Sequence, residues 1–515
     1  MLRTFSLALL IVMVSTLMAA CGGAPAAKPT VAPKPAEAAT AAPATMAPQP
    51  TAAATAAATA AATAAATAAA TAAATAAATA AATAVPTVAL APIGTLDAAK
   101  LAGISKELDA ALAGKLKGTK VTMTGPFVDA DAVKFDATVK SFEDLTGIDI
   151  QYAGTKEFEA SIKIAVDGGS PPDIVDFPQP GLLATFVKTG KVIDASQFIS
   201  ADWLKKNYNQ SWLDMAKLEG PKGPITAGVW QRVNGKSLIW YPKKAFDAAG
   251  YKIPTTWDDL MKLSDQIVAD GDSPWCVGIA SGAATGWVAT DWMEDIMLRT
   301  TSLENYDKWV KGELKFESPE VTNAAKIMSD VWLKDHYVLG GRASIVTTAF
   351  SDAPAPMFND PPKCWLHRQG NFITSFFPPT AKAGVDYDFF YMPPIDAKYG
   401  KPVLVAGDLM AAFNDRPEVR AVLSYFSSGL SVENWIKSNG AISPQNDSSL
   451  DWYSNDVDRN VAKMILNASS VRFDASDLMP GQVGAGSFWK GMTEYVSGNL
   501  TLDAAMKEID AAWPK

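Results

Sequence analysis

Histidine and cysteine are nearly absent from this chain: among 515 residues there are 2 of the first and 3 of the second. No CxxC or HxxxH pair occurs, so a zinc site has no ligand set to draw on. A Gly-rich phosphate loop and a GxSxG nucleophile turn are missing too, which removes the simplest routes to nucleotide binding and serine hydrolysis. There is no long Lys/Arg run, and the formal net charge of −9 argues against nucleic acid or an anionic surface as partner. No metal and no organic cofactor is called for.

What is present begins with Cys21. Met1-Leu2-Arg3 is followed by an apolar run from Phe5 to Met18 and by the small pair Ala19-Ala20. A charged start, a short apolar core and small residues before a cut describe a secretory signal. The run is shorter than the ~20 residues a spanning helix needs. Leu17-Met18-Ala19-Ala20-Cys21-Gly22 resembles a bacterial lipobox. That resemblance implies a signal peptide over 1–20 and lipid attachment at Cys21. The protein is then expected outside the cytoplasm, tethered to the cell membrane; a plain secreted protein cut nearby is the alternative.

Residues 21–94 are dominated by Ala, Thr and Pro, and from Thr51 to Ala84 the chain repeats Thr-Ala-Ala-Ala with a period of four. With no large apolar residue the repeat cannot offset its ordering entropy by burial. It reads as a stalk, disordered or partly helical, although slippage in a simple repeat with no selected length gives the same pattern. Once Cys21 carries lipid, Cys276 and Cys364 form an even pair in an oxidising compartment. That suggests one disulfide, with two buried thiols as the alternative.

Residues 95–515 hold every tryptophan and have no low-complexity break. A unit of over 400 residues exceeds one core and should divide into lobes. Lys120–Thr124 reads as a buried strand, Asp131–Leu145 as a helix stopped by Gly147, and Ile148–Tyr152 as a strand. A helix from Phe158 to Val166 and a strand from Asp173 to Phe177 follow. This β-α-β-α-β order predicts an α/β fold with ligand loops at the carboxyl ends of a parallel sheet.

Several blocks carry a family likeness. Gly168-Gly169-Ser170-Pro171-Pro172-Asp173-Ile174-Val175 resembles the signature of family 1 extracellular solute-binding proteins, the maltose-binding class that serves sugar ABC importers. Ser237–Phe246 and Pro254–Leu260 are similar to further blocks in the same order. Ser281–Trp287, Thr290-Asp291-Trp292 and Phe473–Pro480 are similar to the α-glucoside-binding branch. The resemblance covers 118–515. It implies a periplasmic-binding-protein-like (type II) two-lobe clamp, with lobe 1 at about 118–228 and 394–430 and lobe 2 at about 229–393 and 431–515. Crossings are expected near Thr226–Gln231, Met392–Ile395 and Leu430–Glu433. It also implies a monomeric binding component, not an enzyme, whose partners are a small-molecule carbohydrate and ABC permease subunits in the cytoplasmic membrane.

A neutral sugar has apolar C–H faces and a rim of hydroxyls, so rings and planar amides or carboxylates are the groups to seek. By the resemblance Phe177 is an aromatic platform, with core as its alternative, and Gln179 leaves the same strand end. Asp129 either binds hydroxyls or caps a helix. Trp287 stacks; Gln369, Gly370 and Phe372 face the cleft from the second lobe. Gly407 and Asp408 end a strand and contact sugar from the first. Phe473, Asp474 and Asp477 supply the last contacts, unless Asp477 caps a turn. Two other classes remain open. In a glycoside hydrolase Asp291 would pair with Glu294 or Asp295 across a cleft, where the plainer expectation is a solvated helix face. A binder of polyamine or iron would want clustered carboxylates or paired tyrosines.

Overall fold

The computed structural model describes residues 90–514; the signal, Cys21 and the Thr-Ala repeat lie outside the described residues. Two sheets organise the described part. The first contains β1 (Lys120–Gly125), β2 (Asp149–Gly154), β3 (Ile174–Phe177), β6 (Val229–Gly235), β11 (Pro402–Ala412) and β12 (Ser470–Phe473). The second contains β7 (Leu238–Tyr241), β8 (Ser273–Trp275), β9 (Cys364–Arg368) and β10 (Asp388–Tyr391). β4 (Lys217–Gly220) and β5 (Gly223–Thr226) form a separate hairpin.

The first sheet follows from the sequence pattern. β1 pairs in parallel with β2 and β3, joined by the helices Asp129–Thr146 and Phe158–Asp167. Gly147 ends the first helix with a left-handed φ of 72°, which glycine adopts without steric cost. β11 is the spine. Its first half pairs in parallel with β12, its second half runs antiparallel to β3, and β6 lies antiparallel along its middle. All of β11 is buried, as a strand covered on both faces must be.

These pairings move two of the expected crossings. Residues 229–235 belong to the first sheet through β6, so the chain first crosses at Lys236-Ser237 rather than near Thr226–Gln231. Residues 470–473 also belong to the first sheet, so the last crossing follows Phe473 rather than Leu430. The middle crossing lies between Tyr391 of β10 and Pro402 of β11. A disulfide joins Cys276 to Cys364, beside the parallel pair β8–β9. No helix among the described residues is long and apolar enough to cross a membrane.

Candidate functional site

Between the lobes lies a cavity of about 150 Å³. Its first-lobe wall comes from the loops that leave the carboxyl ends of β1 and β3, where open parallel sheets place their ligands. At the mouth the lobes touch. Gly282 sits so close to the opposite lobe that a Cβ there would lie 2.7 Å from the Lys156 carbonyl oxygen and 2.6 Å from Glu157 Oε1.

Arg232 dominates the first-lobe wall. Its guanidinium packs against the edge-to-face pair of Phe127 and Trp435, 4.5 and 4.2 Å from their ring centroids. Nε donates to Asp408 Oδ2 at 2.8 Å, and Nη1 is 3.4 Å from Asp131 Oδ2. Asp408 lies directly opposite Arg232 in the β6–β11 register, next to a bulge at Gln231 of β6. Burial raises the Asp408 carboxyl above its usual range, and Arg232 opposes the shift. At the far end, Gln179 Nε2 donates to Glu159 Oε1 at 3.1 Å. Burial pushes the Glu159 carboxyl up to about 7.

The second-lobe wall is aromatic over a buried ionic floor. Trp287 meets Phe350 and Phe372 at centroid distances of 5.2 and 5.8 Å, and Phe376 is 5.5 Å from Phe350. Lys236 Nζ lies 5.3 Å from the Trp287 ring centroid. It donates to Asp291 Oδ1 at 2.8 Å and to Asp474 Oδ2 at 2.6 Å. Oxygens of Asp291, Glu294 and Asp474 come within 4.8 Å of one another, and the Lys236 ammonium is already the cation beside them. Burial pushes Asp291 up to about 8; it acts the same way on Asp474, but there Lys236 prevails and holds the carboxyl low. Burial, with Asp474 nearby, also raises Asp477 well above the ordinary range.

Among the described residues, the buried cleft-lining atoms without a hydrogen-bond partner include Asp131 Oδ1, Gln179 Oε1 and Asn234 Oδ1, all acceptor oxygens, whereas Asp291 Oδ2 faces Arg368 Nη1 at 3.6 Å. A buried acceptor without a donor costs roughly 1–3 kcal/mol, so the cleft is built for a molecule rich in donors.

Residues 124–441 match the family model described as bacterial extracellular solute-binding protein. The chain belongs to that family. This solute-binding protein is 40% identical over 399 residues to the osmoprotective compounds-binding protein GgtB of Synechocystis sp., covering 77% of this chain and 93% of that one. It is also 40% identical over 403 residues to the alpha-glucosides-binding periplasmic protein AglE of Rhizobium meliloti, covering 77% and 88%. Among solved structures, the solute receptor AcbH superposes with a TM-score of 0.65 at 17% identity, covering 76% of this chain and 98% of that one. The raffinose complex of RafE gives 0.59 at 16%, covering 76% and 98%. These two likenesses establish the two-lobe type II fold.

In this solute-binding protein the cleft gathers Gln179, Trp287, Phe372, Gly407, Asp408 and Asp477 of the expected site residues, and Asp474 with them. Five others lie outside it, among them Gly370, which backs onto the Phe372 ring. Phe177 is core, packed among Phe158, Phe186 and Phe413, because β3 is buried on both faces. Asp129 is half-exposed and pairs with Lys156 at 3.1 Å; it neither enters the cleft nor caps the helix, whose N-cap position is Val128. Gln369 is buried behind the wall with its Oε1 accepting from the Gly370 amide. Phe473 packs on Trp230, and its carbonyl accepts from Tyr306. Gly407-Asp408 sits inside β11 rather than at its end.

Sequence reading missed Asp131, Glu159, Arg232, Lys236 and Trp489 as cleft residues. Asp131 carried a usable signal: it lies one turn before the buried Phe135 and Lys134 on the inward helix face. Asp291, Glu294 and Asp295 do not form a solvated face; all three are fully buried.

Proposed function

We propose that the protein is the extracytoplasmic, lipid-anchored substrate-binding component of a carbohydrate ABC importer, which takes a neutral, hydroxyl-rich α-glucoside by lobe closure. The observation that carries this reading is the set of unpartnered acceptors facing a wall of Trp287, Phe350 and Phe372. Sugar hydroxyls supply the donors, and ring C–H faces cover the aromatics. Burying ~60 Å² of such a face stabilises by about 1.5 kcal/mol. Closure follows because residues of both lobes contact one ligand, which then prefers the closed state. AglE, an alpha-glucosides-binding protein, supports the α-glucoside reading, while GgtB binds osmoprotective compounds.

The test is calorimetric titration with maltose, trehalose, sucrose and other small α-glucosides, with spermidine alongside. Saturable binding of one or more sugars and none of spermidine is the expected result. A second reading has one observation in its favour: among the described residues no cation is paired to Glu159 or Asp477, which both line the cleft. Tight binding of spermidine and of no sugar would turn the assignment to a cationic solute.

The buried carboxylates bear on catalysis. Asp291 is paired with Lys236, Glu294 accepts from backbone amides, and Asp295 is bonded to Arg368 and Ser237. Glu294 and Asp295 do not line the cleft, so Asp291 has neither of those carboxylates facing it across a glycosidic bond, and aryl glucosides should not be turned over. The role also requires permease subunits in the membrane and a tether at Cys21. A Cys21→Ala variant should move from the detergent phase to the soluble fraction.

A further inference from the structure

Helix Trp287–Thr300 is fully buried along nearly its whole length, including Asp291, Glu294, Asp295 and Arg299. Four buried charges on one helix are costly unless each is paired and hydrogen-bonded. Their spacing places them along one helical face, and each is satisfied by the chain where it passes between the lobes. At the first crossing, Lys236 bonds Asp291, and Ser237 Oγ donates to Asp295 Oδ1 at 2.7 Å. The same hydroxyl accepts from the Leu404 amide of β11 at 2.9 Å. At the second, Arg299 Nε and Nη2 donate to the Met392 carbonyl at 3.1 and 3.0 Å. At the third, Glu294 accepts from the Ala475 and Ser476 amides, both at 3.1 Å.

The other end of the same helix is the ligand wall. Trp287 is its first residue and Asp291 lines the cleft one turn later. Gly286, which precedes it at a φ of 114°, abuts the Trp489 carbonyl so closely that a Cβ would lie 2.2 Å away. The helix start is therefore fixed in the second lobe.

We infer that helix Trp287–Thr300 couples the cleft to the hinge: Asp291, Glu294, Asp295 and Arg299 are positioning residues that hold the three crossings in one arrangement, so that a ligand seated on Trp287 acts on all three together. The coupling to ligand rests on the sugar-binding reading above; the clamping of the crossings does not.

The test uses the full chain and begins without ligand. Hydrogen exchange is followed at 235–238, 391–404 and 473–476 in wild type, Glu294→Gln and Ser237→Ala. Glu294→Gln touches only the third crossing and Ser237→Ala only the first two. If the helix links them, exchange in each variant rises by about tenfold at all three crossings. If each variant loosens only the crossings it touches, the inference fails. Should Glu294→Gln not fold, Ser237→Ala carries the same test alone. Maltose, trehalose and sucrose are then titrated into each protein, with lobe closure read by intramolecular energy transfer. Weakening of about fivefold or more, with reduced closure amplitude, is expected for the variants. Unchanged affinity and amplitude would sever helix from cleft. Failure of wild type to bind any of the sugars would instead overturn the sugar reading and leave the exchange result standing.

Discussion

Trp287 stands at the cleft and Phe177 in the core, and substitution should separate two kinds of loss. Trp287→Ala removes a stacking face of ~60 Å², or about 1.5 kcal/mol, so titration should show affinity falling at least about tenfold while the melting temperature changes little. Phe177→Ala empties a site enclosed by Phe158, Phe186 and Phe413. A loss of about 3–5 kcal/mol in unfolding free energy is expected, with ligand affinity retained. A third prediction concerns Glu159. Its carboxyl titrates near 4.5 when unfolded and about 7 in the fold. Between those values the folded state binds more protons, so its contribution to stability is lost as pH rises through that window. Hydroxyl donors favour the ionised carboxylate, so ligand affinity should rise with pH over the same range. Glu159→Gln should flatten both profiles, measured by melting and titration at pH 5 and 8; unaltered slopes would remove Glu159 from the site. Individual residues were the least legible part of the sequence. Phe177 and Gln179 both leave β3, but only pairing with β1 and β11 decides which turns inward. Asp129 reads as a loop carboxylate and Asp131 only as the first helical residue because a helix start cannot be placed to within two residues from periodicity; the helix begins at Asp129. The acids of helix Trp287–Thr300 read as solvated because their partners lie at distant points of the chain, at Lys236, Ser237 and Ala475.

Elements were easier to read where their determinants are local. The β-α-β-α-β run from Lys120 to Phe177 matches the expected spans to within a few residues, because apolar spacing and Gly147 act at short range. Sheet membership is not local, and both shifted crossings come from strands, β6 and β12, whose partner is the distant β11. The short helical turn Gly282–Ala284 yields a prediction at this scale. Gly282 has a φ of 57° and abuts backbone and side chain of the opposite lobe. A β-branched side chain is strained at that φ and also collides with the Lys156 carbonyl. Gly282→Val should therefore weaken binding by holding the mouth open, although Gly282 donates nothing to the ligand. Small-angle scattering should show no ligand-induced compaction in the variant and clear compaction in wild type. Equal compaction in both would mean that the rim contact does not limit closure.

Over the whole molecule, the two lobes are not two separate cores. The first-lobe hydrophobic cluster continues onto one face of the second sheet through Leu238, Trp240, Phe377 and Tyr387, while Ile239 and Tyr241 face the other cluster. Alternate residues of β7 thus serve different cores, and the buried ionic floor around Lys236 lies where the lobes meet. Unfolding one lobe without the other would expose apolar surface and strip a buried charge of its partner, which costs about 3–5 kcal/mol. Unfolding should therefore be a single cooperative transition by calorimetry. Ligand at ~100 times its dissociation constant should raise the unfolding free energy by about 2.7 kcal/mol and move that one transition without splitting it. Two transitions, with only one responding to ligand, would mean that the lobes unfold independently. The shared core would then be too weak to transmit closure from one lobe to the other.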